Sequence, residues 1–288
     1  MSRLDFTPLT GNTPHVRHEL IVSVYLSPFR VEHVETPEHG EQPNYRDGIN
    51  PGDFSQQEIE FMVQDLLNYR NESERHRFRV WRSTQWRRFK RDLKRQVERI
   101  WNVLWARPVD GNENLWMQYL FSTKPGTENL NVIPPLKLAL NLKIVDLPSE
   151  ADLRILCLNT TRSYRSFSTL SWNKDSKIAV LDRDDVRIER FRGEFGRHRH
   201  LVAAHEIGHY LGFNHVAARI DGNPYPAPEG TQLNDNAEYG TTRRQERNVM
   251  GIGTRVEPWN AAPWLNHIHR HFSGPGKPKF VAYVQNHH

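Results

Sequence analysis

The sequence predicts an α+β fold, because helical apolar patterns alternate along the chain with short segments that are typical of strands. Hydrophobic residues make up 37% of the 288 positions, with 8 Trp and 13 Phe, so the chain can bury a sizeable core and is not disordered. This length allows one large domain or two lobes. The chain contains no run of about 18 apolar residues, and we therefore expect no membrane-spanning helix.

The chain up to Pro108 predicts one strand and two helices. Residues 19–34 are apolar and rich in β-branched side chains, which favours a first strand. Ser55 and Glu58 have the spacing of a capping box and predict the start of a helix. Residues 86–104 have apolar side chains at every third or fourth position, which predicts a second long helix that Pro108 ends.

The chain after Pro108 predicts further strands, a hairpin and a late helix. The strands are expected over residues 115–121, 136–145, 153–158 and 280–284. A hairpin is expected over 167–182, with its turn at 173–176, and a helix over 264–272. Residues 221–248 are polar, rich in Gly, Pro and Asn and without periodicity, so they are predicted to form a long loop.

The strongest functional signal is the segment HEIGHYLGFNH at residues 205–215. On an α-helix, residues four apart lie about 40° apart around the axis and about 6 Å along it, so His205 and His209 project from one face. Two imidazoles on one face can hold one metal ion. Glu206 then points beside the metal rather than at it, which suits a general base acting on metal-bound water.

His215 can join these ligands only if the helix ends before it, because a continued helix would turn its side chain to the far side. Gly212 can take a left-handed conformation without steric penalty, which ends the helix and lets the chain return His215 to the metal. The other interpretation is an amphipathic helix whose core-facing residues are Leu201, Ala204, Gly208 and Leu211. That interpretation explains neither Glu206 nor the interval from Gly212 to His215.

The metal that these residue types predict is zinc. Zinc is bound by neutral imidazoles with one coordination position left for water, and it lowers the pKa of that water to about 7. We therefore expect Zn²⁺ as the cofactor, held by His205, His209 and His215, with Glu206 as the catalytic residue.

The segment resembles the signature HExxHxxGxxH of the metzincin zinc metallopeptidases, in which a methionine-containing turn follows downstream. The matching turn is Asn248-Val249-Met250-Gly251, with Met250 lying 35 residues after His215. The resemblance implies that Met250 forms a hydrophobic floor beneath the imidazoles without binding metal; an ordinary core turn is the other interpretation. It covers about 50 residues and assigns no subfamily. Ile252 stands where some metzincins carry an additional tyrosine ligand, so no such ligand is expected.

The resemblance also implies a fold and an activity. Residues 1–215 would form an upper lobe in which helices back a twisted mixed sheet above a cleft, with the zinc helix on the cleft floor. Residues 216–288 would form an irregular lower lobe, and the two lobes would make one catalytic unit. The implied activity is that of a metalloendopeptidase: zinc polarises the scissile carbonyl, and Glu206 passes a proton from water to the leaving amine. Its protein or peptide substrate would lie along an edge strand, for which the hairpin at 167–182 is the candidate, a plain surface hairpin being the other interpretation.

The positive charge of the chain, +5 in total, is concentrated in residues 75–99, where 11 Lys and Arg stand against Asp92 and Glu98. Interleaved aromatic side chains give this segment the composition of a nucleic-acid or anionic-membrane surface. Its periodicity equally fits a core helix with a solvated cationic face. The alternative function is therefore a metzincin-like binding protein that acts through 75–99 and whose zinc is structural. Glu206 argues against this alternative, because a structural site needs no base.

Other histidines are predicted to lie on the surface. They are His198, His200, His267, His269 and His271. His267 and His271 would share a helix face, so a second metal site is the other interpretation of the last three, although no carboxylate or cysteine accompanies them.

Cys157 is the only cysteine, so no disulfide can form within the chain. The apolar run around it predicts a buried thiol in a strand.

The N-terminal segment lacks the apolar core of a secretory signal, from which we expect a cytoplasmic protein or one exported by a non-classical route. A bacterial effector or toxin protease is a further hypothesis that would combine a peptidase with this N-terminus.

Overall fold

The computed structural model describes residues 2–7, 15–35, 43–72, 78–123, 132–161, 167–168, 177–219, 226, 229, 235–271 and 278–285. The helices of these residues are α1 (Gln56–Glu72), α2 (Ser83–Trp101), α3 (Glu113–Thr123), α4 (Val202–Tyr210), α5 (Asp235–Glu238), α6 (Arg243–Arg247) and α7 (Ala262–His271). Their strands are β1 (Ser2–Thr7), β2 (His15–Pro28), β3 (Leu104–Pro108), β4 (Leu136–Val145), β5 (Leu153–Leu158), β6 (Phe167–Ser168), β7 (Ile178–Asp182), β8 (Glu189–Gly193), β9 (Gly196–His200) and β10 (Phe280–Val284). None of these helices is long and apolar enough to span a bilayer.

The chain forms a mixed sheet with several helices, which agrees with the predicted α+β class. It divides into two compact units. Unit 1 comprises Met1–Ile21, Glu98–Asn141 and Arg255–His288, and unit 2 comprises Val22–Val97 and Leu142–Thr254. The division into lobes at His215 that the sequence predicts stays a prediction. The three predicted metal ligands and the predicted methionine turn all belong to unit 2.

Unit 1 is built around antiparallel strands and buried tryptophans. Strand β3 lies between β10 and β4 and is antiparallel to both, while β1 pairs with the first part of β2. Trp116 and Trp264 are fully buried, and their indole nitrogens donate hydrogen bonds to Pro134 O (3.0 Å) and Ala139 O (2.9 Å). These bonds satisfy the one polar atom of each large apolar side chain.

Two predicted elements of unit 1 are wrong. Residues 115–121 form helix α3 rather than a strand, and the two fully buried residues Trp116 and Leu120 are four apart, as on one helix face. The second long helix ends at Trp101 instead of reaching Pro108. The Asn102 side chain bonds both backbone groups of Leu140, and the chain from Leu104 onward pairs as strand β3. Strand pairing here overrides the helical spacing of the apolar residues.

Unit 2 contains parallel strands covered by helix α1. Strand β5 lies between β2 and β7 and is parallel to both, and β6 pairs antiparallel with β7 at the end of this strand order. The core that α1 covers consists of Phe29, Tyr45, Ile49, Phe54, Ile59, Met62, Leu66, Leu156, Leu158, Ile178 and Val180. The predicted capping box is confirmed, because Ser55 N donates to Glu58 Oε2 at 2.7 Å and Glu58 N donates to Ser55 Oγ at 3.4 Å. Cys157 is buried in β5 as predicted.

The hairpin predicted over 167–182 is present at its two ends as β6 and β7, with Phe167 opposite Val180. Its predicted turn at 173–176 lies outside the described residues. A second hairpin, β8–β9, was not predicted and separates β7 from α4. Its residues are mostly charged and lack the alternation of apolar side chains that identifies a strand.

Candidate metal centre

Helix α4 carries the first two predicted ligands and ends where the sequence requires. Gly212 N donates to His209 O at 2.9 Å and Phe213 N donates to Gly208 O at 3.1 Å, which is the bonding pattern of a Schellman motif. The motif needs a left-handed residue after the last turn, and Gly212 has φ +95°. A Cβ added there would meet no atom within 4 Å, so backbone conformation rather than space selects glycine. Gly212 thus has the left-handed conformation that the sequence predicts.

The structure brings the three predicted ligands together. One ligand nitrogen from each of His205, His209 and His215 lies within 4.8 Å of the others, and this group could hold a metal ion. The Nε2 atoms of His205 and His209 are 3.1 Å apart. Two nitrogens at about 2.05 Å from a tetrahedral zinc would be about 3.3 Å apart, so this separation suits one ion. His205 and His209 are buried, whereas the side chain of His215 is 21% exposed and opens the site to solvent.

Each imidazole is oriented by an acceptor on its other nitrogen. The acceptors of the Nδ1 atoms are Val249 O for His205 (2.8 Å), Phe213 O for His209 (2.8 Å) and Glu238 Oε2 for His215 (3.1 Å). Carbonyl and carboxylate oxygens only accept, so each Nδ1 carries the proton. The neutral rings therefore present Nε2 lone pairs, and those of His205 and His209 face each other. Two lone pairs at this distance repel, and a cation between them removes the repulsion.

The site keeps His205 and His209 neutral. Burial lowers the pKa of His205 well below its ordinary value, and the neighbouring His209, His200 and His215 lower it further. Burial, followed by the proximity of His215, lowers the pKa of His209 to about 4. Neutral imidazole is the form that binds a metal ion, so these ligands need not lose a proton at pH 7.

Glu206 follows the first ligand on α4 and is buried, with 6% of its surface exposed. Its role as the general base stays a prediction. The rest of α4 is lined with small residues, Ala203, Ala204 and Gly208, and the helix lies close to strand β6. Ala203 N donates to Asp185 O at 3.1 Å, which fixes the first turn of the helix to the loop after β7.

The predicted methionine turn lies beside the first ligand. Met250 is fully buried, and the preceding carbonyl, Val249 O, accepts the hydrogen bond from His205. The turn is closed by Asn248, whose side chain accepts from Met250 N and whose carbonyl accepts from Gly251 N and Gly253 N, all at 2.9–3.0 Å. A Cβ on Gly251 or Gly253 would collide with backbone atoms of neighbouring residues, so both glycines are required by close approach.

Two residues of the site were not predicted. Glu238, the acceptor for His215, ends α5, and Tyr239 follows it with its ring centroid 4.2 Å from that of His215 and 5.5 Å from that of His205. Both lie in the stretch 221–248 that was expected to be a loop, although it contains α5 and α6. No spacing in the sequence connects them to the ligands.

The prediction that His198 is a surface residue is wrong, and His200 is half-buried. His198 is buried, and its Nε2 lies 2.7 Å from Glu246 Oε2. The ring of His200 is 5.7 Å from that of His205. Burial lowers the pKa of His200 to about 4, although a hydrogen bond to the Gly253 backbone opposes this. Both histidines precede α4 by a few residues, and the signal was missed because the β8–β9 hairpin was missed.

The later histidines are separate from this centre. His269 is exposed as predicted, whereas His267 is half-buried with its ring 5.4 Å from that of His18. The side chain of His271 lies outside the described residues. In the described part of the chain, the grouped metal-ligating side chains are those of His205, His209 and His215.

The basic segment 75–99 is described from residue 78 onward and lies largely in α2. Its apolar residues Phe89, Leu93 and Val97 are buried and most of its arginines are exposed, which agrees with a core helix that has a solvated cationic face. Asp92 is buried among three of these arginines. The partners are Arg88, Arg91 and Arg95, at 3.1–3.4 Å.

Comparison of the chain with protein-family models, with curated proteins and with solved structures finds no match.

Proposed function

We propose that this protein is a zinc-dependent endopeptidase of the metzincin type. The observation that carries the proposal is the set of three imidazoles whose Nδ1 atoms are all held by acceptors, so that their Nε2 atoms converge. The donor set is all nitrogen, which suits zinc better than calcium or magnesium. A buried carboxylate, Glu206, adjoins these ligands in the same helix.

The chemistry divides between the ion and the protein. A bound zinc ion would supply a Lewis acid for the scissile carbonyl and lower the pKa of a coordinated water to about 7. His205, His209 and His215 would hold it. Glu206 takes a proton from the attacking water and delivers it to the leaving amine, which lets the peptide bond break without releasing a strong base. The burial of Glu206 excludes bulk water from this transfer.

The metzincin type is supported by three local features. The Schellman motif at Gly212 returns His215 to the other ligands, and the buried Met250 follows the carbonyl that orients His205. Among the described strands, β6 is the last in the sheet order and lies near α4. We propose that an extended polypeptide pairs with β6 while its scissile bond lies at the metal. The two lobes, 1–215 above a cleft and 216–288 below it, are part of this proposal.

The alternative, a binding protein with structural zinc that acts through the basic segment 75–99, has one observation in its favour, the exposed arginines of α2. Two observations count against it. Structural zinc sites usually have four protein ligands, whereas three histidines group here among the described residues, and one of them reaches solvent. Asp92 also offsets part of the charge of α2.

The deciding experiment compares wild type with Glu206→Gln. Purified protein is analysed for zinc by mass spectrometry and incubated with an unfolded protein substrate. We expect about one zinc per chain in both proteins and a loss of cleavage of at least about 100-fold in Glu206→Gln, because the general base is removed. Glu150→Gln, the same change at an exposed position, should cleave like wild type.

Each result has a defined meaning. Protein that contains no zinc and gains none from stoichiometric Zn²⁺ overturns the metal assignment. Zinc-loaded Glu206→Gln that cleaves as fast as wild type overturns the mechanism. Zinc-loaded wild type that cleaves no unfolded protein, but binds nucleic acid with a salt-dependent affinity, favours the alternative.

A further inference from the structure

The β8–β9 hairpin places four arginines on one face. Its register sets Arg190 opposite Arg199 and Arg192 opposite Arg197, and because side chains alternate along a strand all four point to the same side. All four are exposed, and none has an ion-pair partner among the residues that the structure describes. We call this surface the arginine face.

The four arginines on one face destabilise the hairpin. Like charges that are directly opposite in an antiparallel pair repel, and a two-stranded hairpin has little stability of its own. Here the other face of the hairpin supplies the anchor. The carboxylate of Glu246 accepts hydrogen bonds from Glu194 N (2.7 Å) and Phe195 N (3.0 Å) and contacts His198 Nε2. A Cβ on Gly193 would collide with Ile252 and Glu246, so the turn packs tightly on α6 and the segment after it. The arginines are therefore not needed to hold the hairpin in place.

The arginine face belongs to the strand that leads to the candidate metal centre, but it is the opposite face of β9 from His198 and His200. Arg199 precedes His200, whose ring lies 5.7 Å from that of the ligand His205. The strand rise of about 3.4 Å per residue puts Arg197 only about 10 Å along β9 from His200. A polypeptide of a few residues that passes the edge of this two-stranded hairpin can thus reach from the metal to this face. Both features lie in unit 2.

The spacing of the charges fits an extended acidic peptide. Arginines two apart on one strand are about 7 Å apart, and those opposite each other are about 5 Å apart at Cβ. Carboxylates at alternate positions of an extended peptide repeat at the same 7 Å or so. Guanidinium groups bind carboxylates in a bidentate fashion.

We infer that the arginine face is a substrate-recognition surface that binds acidic side chains of the polypeptide, a few residues away from the bond at the metal centre. This inference rests on the proposed peptidase function, since it takes the occupant of the metal centre to be a polypeptide. Glu194 in the hairpin turn carries the opposite charge and limits the face at that end.

The test measures binding separately from cleavage, with Glu206→Gln as the background. The probes are two fluorescein-labelled peptides of about ten residues, alternating Glu-Ala and alternating Gln-Ala, followed by fluorescence anisotropy. Converting Arg190, Arg192, Arg197 and Arg199 to Gln should weaken Glu-Ala binding at least about tenfold and leave Gln-Ala binding unchanged. The matched control removes four exposed arginines in or just before α2, namely Arg82, Arg87, Arg91 and Arg99. It should change Glu-Ala binding less than about twofold.

Further variants and probes distinguish the remaining explanations of a change in peptide binding. Replacing the four hairpin arginines by Lys keeps the charge and should retain affinity within a few-fold. The Gln variant should also unfold at no lower a temperature than the background, because repulsion is removed. Equal Glu-Ala affinity of the Gln variant and the background overturns the inference, as does an equal loss in the α2 control. If the Gln variant loses binding of single-stranded DNA but not of the Glu-Ala peptide, the face is a nucleic-acid surface and the inference is wrong. If the acidic peptide binds at the arginine face but the protein that carries Glu206 cleaves no substrate, the recognition surface stands. That result refutes only the proposed function.

Discussion

Replacing Gly212 by alanine would alter the metal centre without touching a ligand. The residue has φ +95°, a conformation in which an L side chain costs about 1–2 kcal/mol, and its Cβ would meet no other atom within 4 Å. The penalty is therefore one of backbone conformation alone. Either the metal-free protein keeps the conformation and loses that stability, or the backbone relaxes and His215 moves. In the second case the penalty reappears when metal binds, as an affinity lowered by about 5- to 30-fold.

The assay measures both quantities in the same variant. Urea unfolding of the metal-free protein gives the loss of stability, and competition with a chromophoric chelator gives the dissociation constant for zinc. We expect the two losses together to amount to about 1–2 kcal/mol. Gly111→Ala is the matched control, because Gly111 has φ +85°, equally open surroundings and a place in unit 1. It should lose stability and keep its zinc affinity. The reasoning is refuted if Gly212→Ala equals wild type in both measurements, or if Gly111→Ala weakens zinc binding as much.

Further predictions concern the residues around the ligands. Glu238→Ala should weaken zinc binding by about 10- to 100-fold in the same competition assay, and Glu238→Gln, which keeps an acceptor, should weaken it less; equal effects would contradict the orienting role. Tyr239→Phe should keep the ring contact and the zinc affinity, whereas Tyr239→Ala should lose part of that affinity, and a reversed order would exclude ring packing as the cause. The metal-free protein should lose stability as the pH falls from 6.5 towards 4, because the folded state holds the pKa of His200 and His209 at about 4 while the unfolded chain protonates them near 6.5. By pH 4.5, each of these two histidines should lower the free energy of unfolding by about 2–3 kcal/mol. Urea midpoints that do not change between pH 7 and 4.5 would contradict this. Glu246→Gln should lower the unfolding free energy by about 1–3 kcal/mol, measured by urea unfolding, because a buried carboxylate with three donors loses its charge; an unchanged midpoint would show that the hairpin is held elsewhere.

The ligands and Gly212 could be predicted because their relation is local. The period of one helix and the conformation of one glycine bring together residues within an eleven-residue segment, and these depend little on the rest of the fold. The capping box of Ser55 and Glu58 is confirmed for the same reason. Apolar strands such as β4, β5 and β10 were also predicted, because each is a short run bounded by turn residues.

What sequence reasoning missed depends on distant partners. Glu238 and Tyr239 lie beside the ligands because of how residues 221–248 fold, and this part of the sequence has no periodic pattern from which its fold could be predicted. The β8–β9 hairpin is stabilised through Glu246, about fifty residues further along the chain, and its own residues look like a solvated loop. Residues 104–108 continue a helical pattern but pair with β4 and β10. Pairing between strands that are distant in sequence cannot be recognised from the residues next to each strand.

The acceptors on the three Nδ1 atoms have a consequence for how the protein acquires its metal. Rings that are already fixed by the fold lose little side-chain entropy when an ion arrives, so the cost of ordering the ligands falls on folding and not on binding. The chain should therefore fold before it is loaded, unlike small zinc domains that remain unfolded without their ion. A chelator should strip the centre and leave an intact, reloadable apoprotein, and metal supply would then control the proposed activity after synthesis.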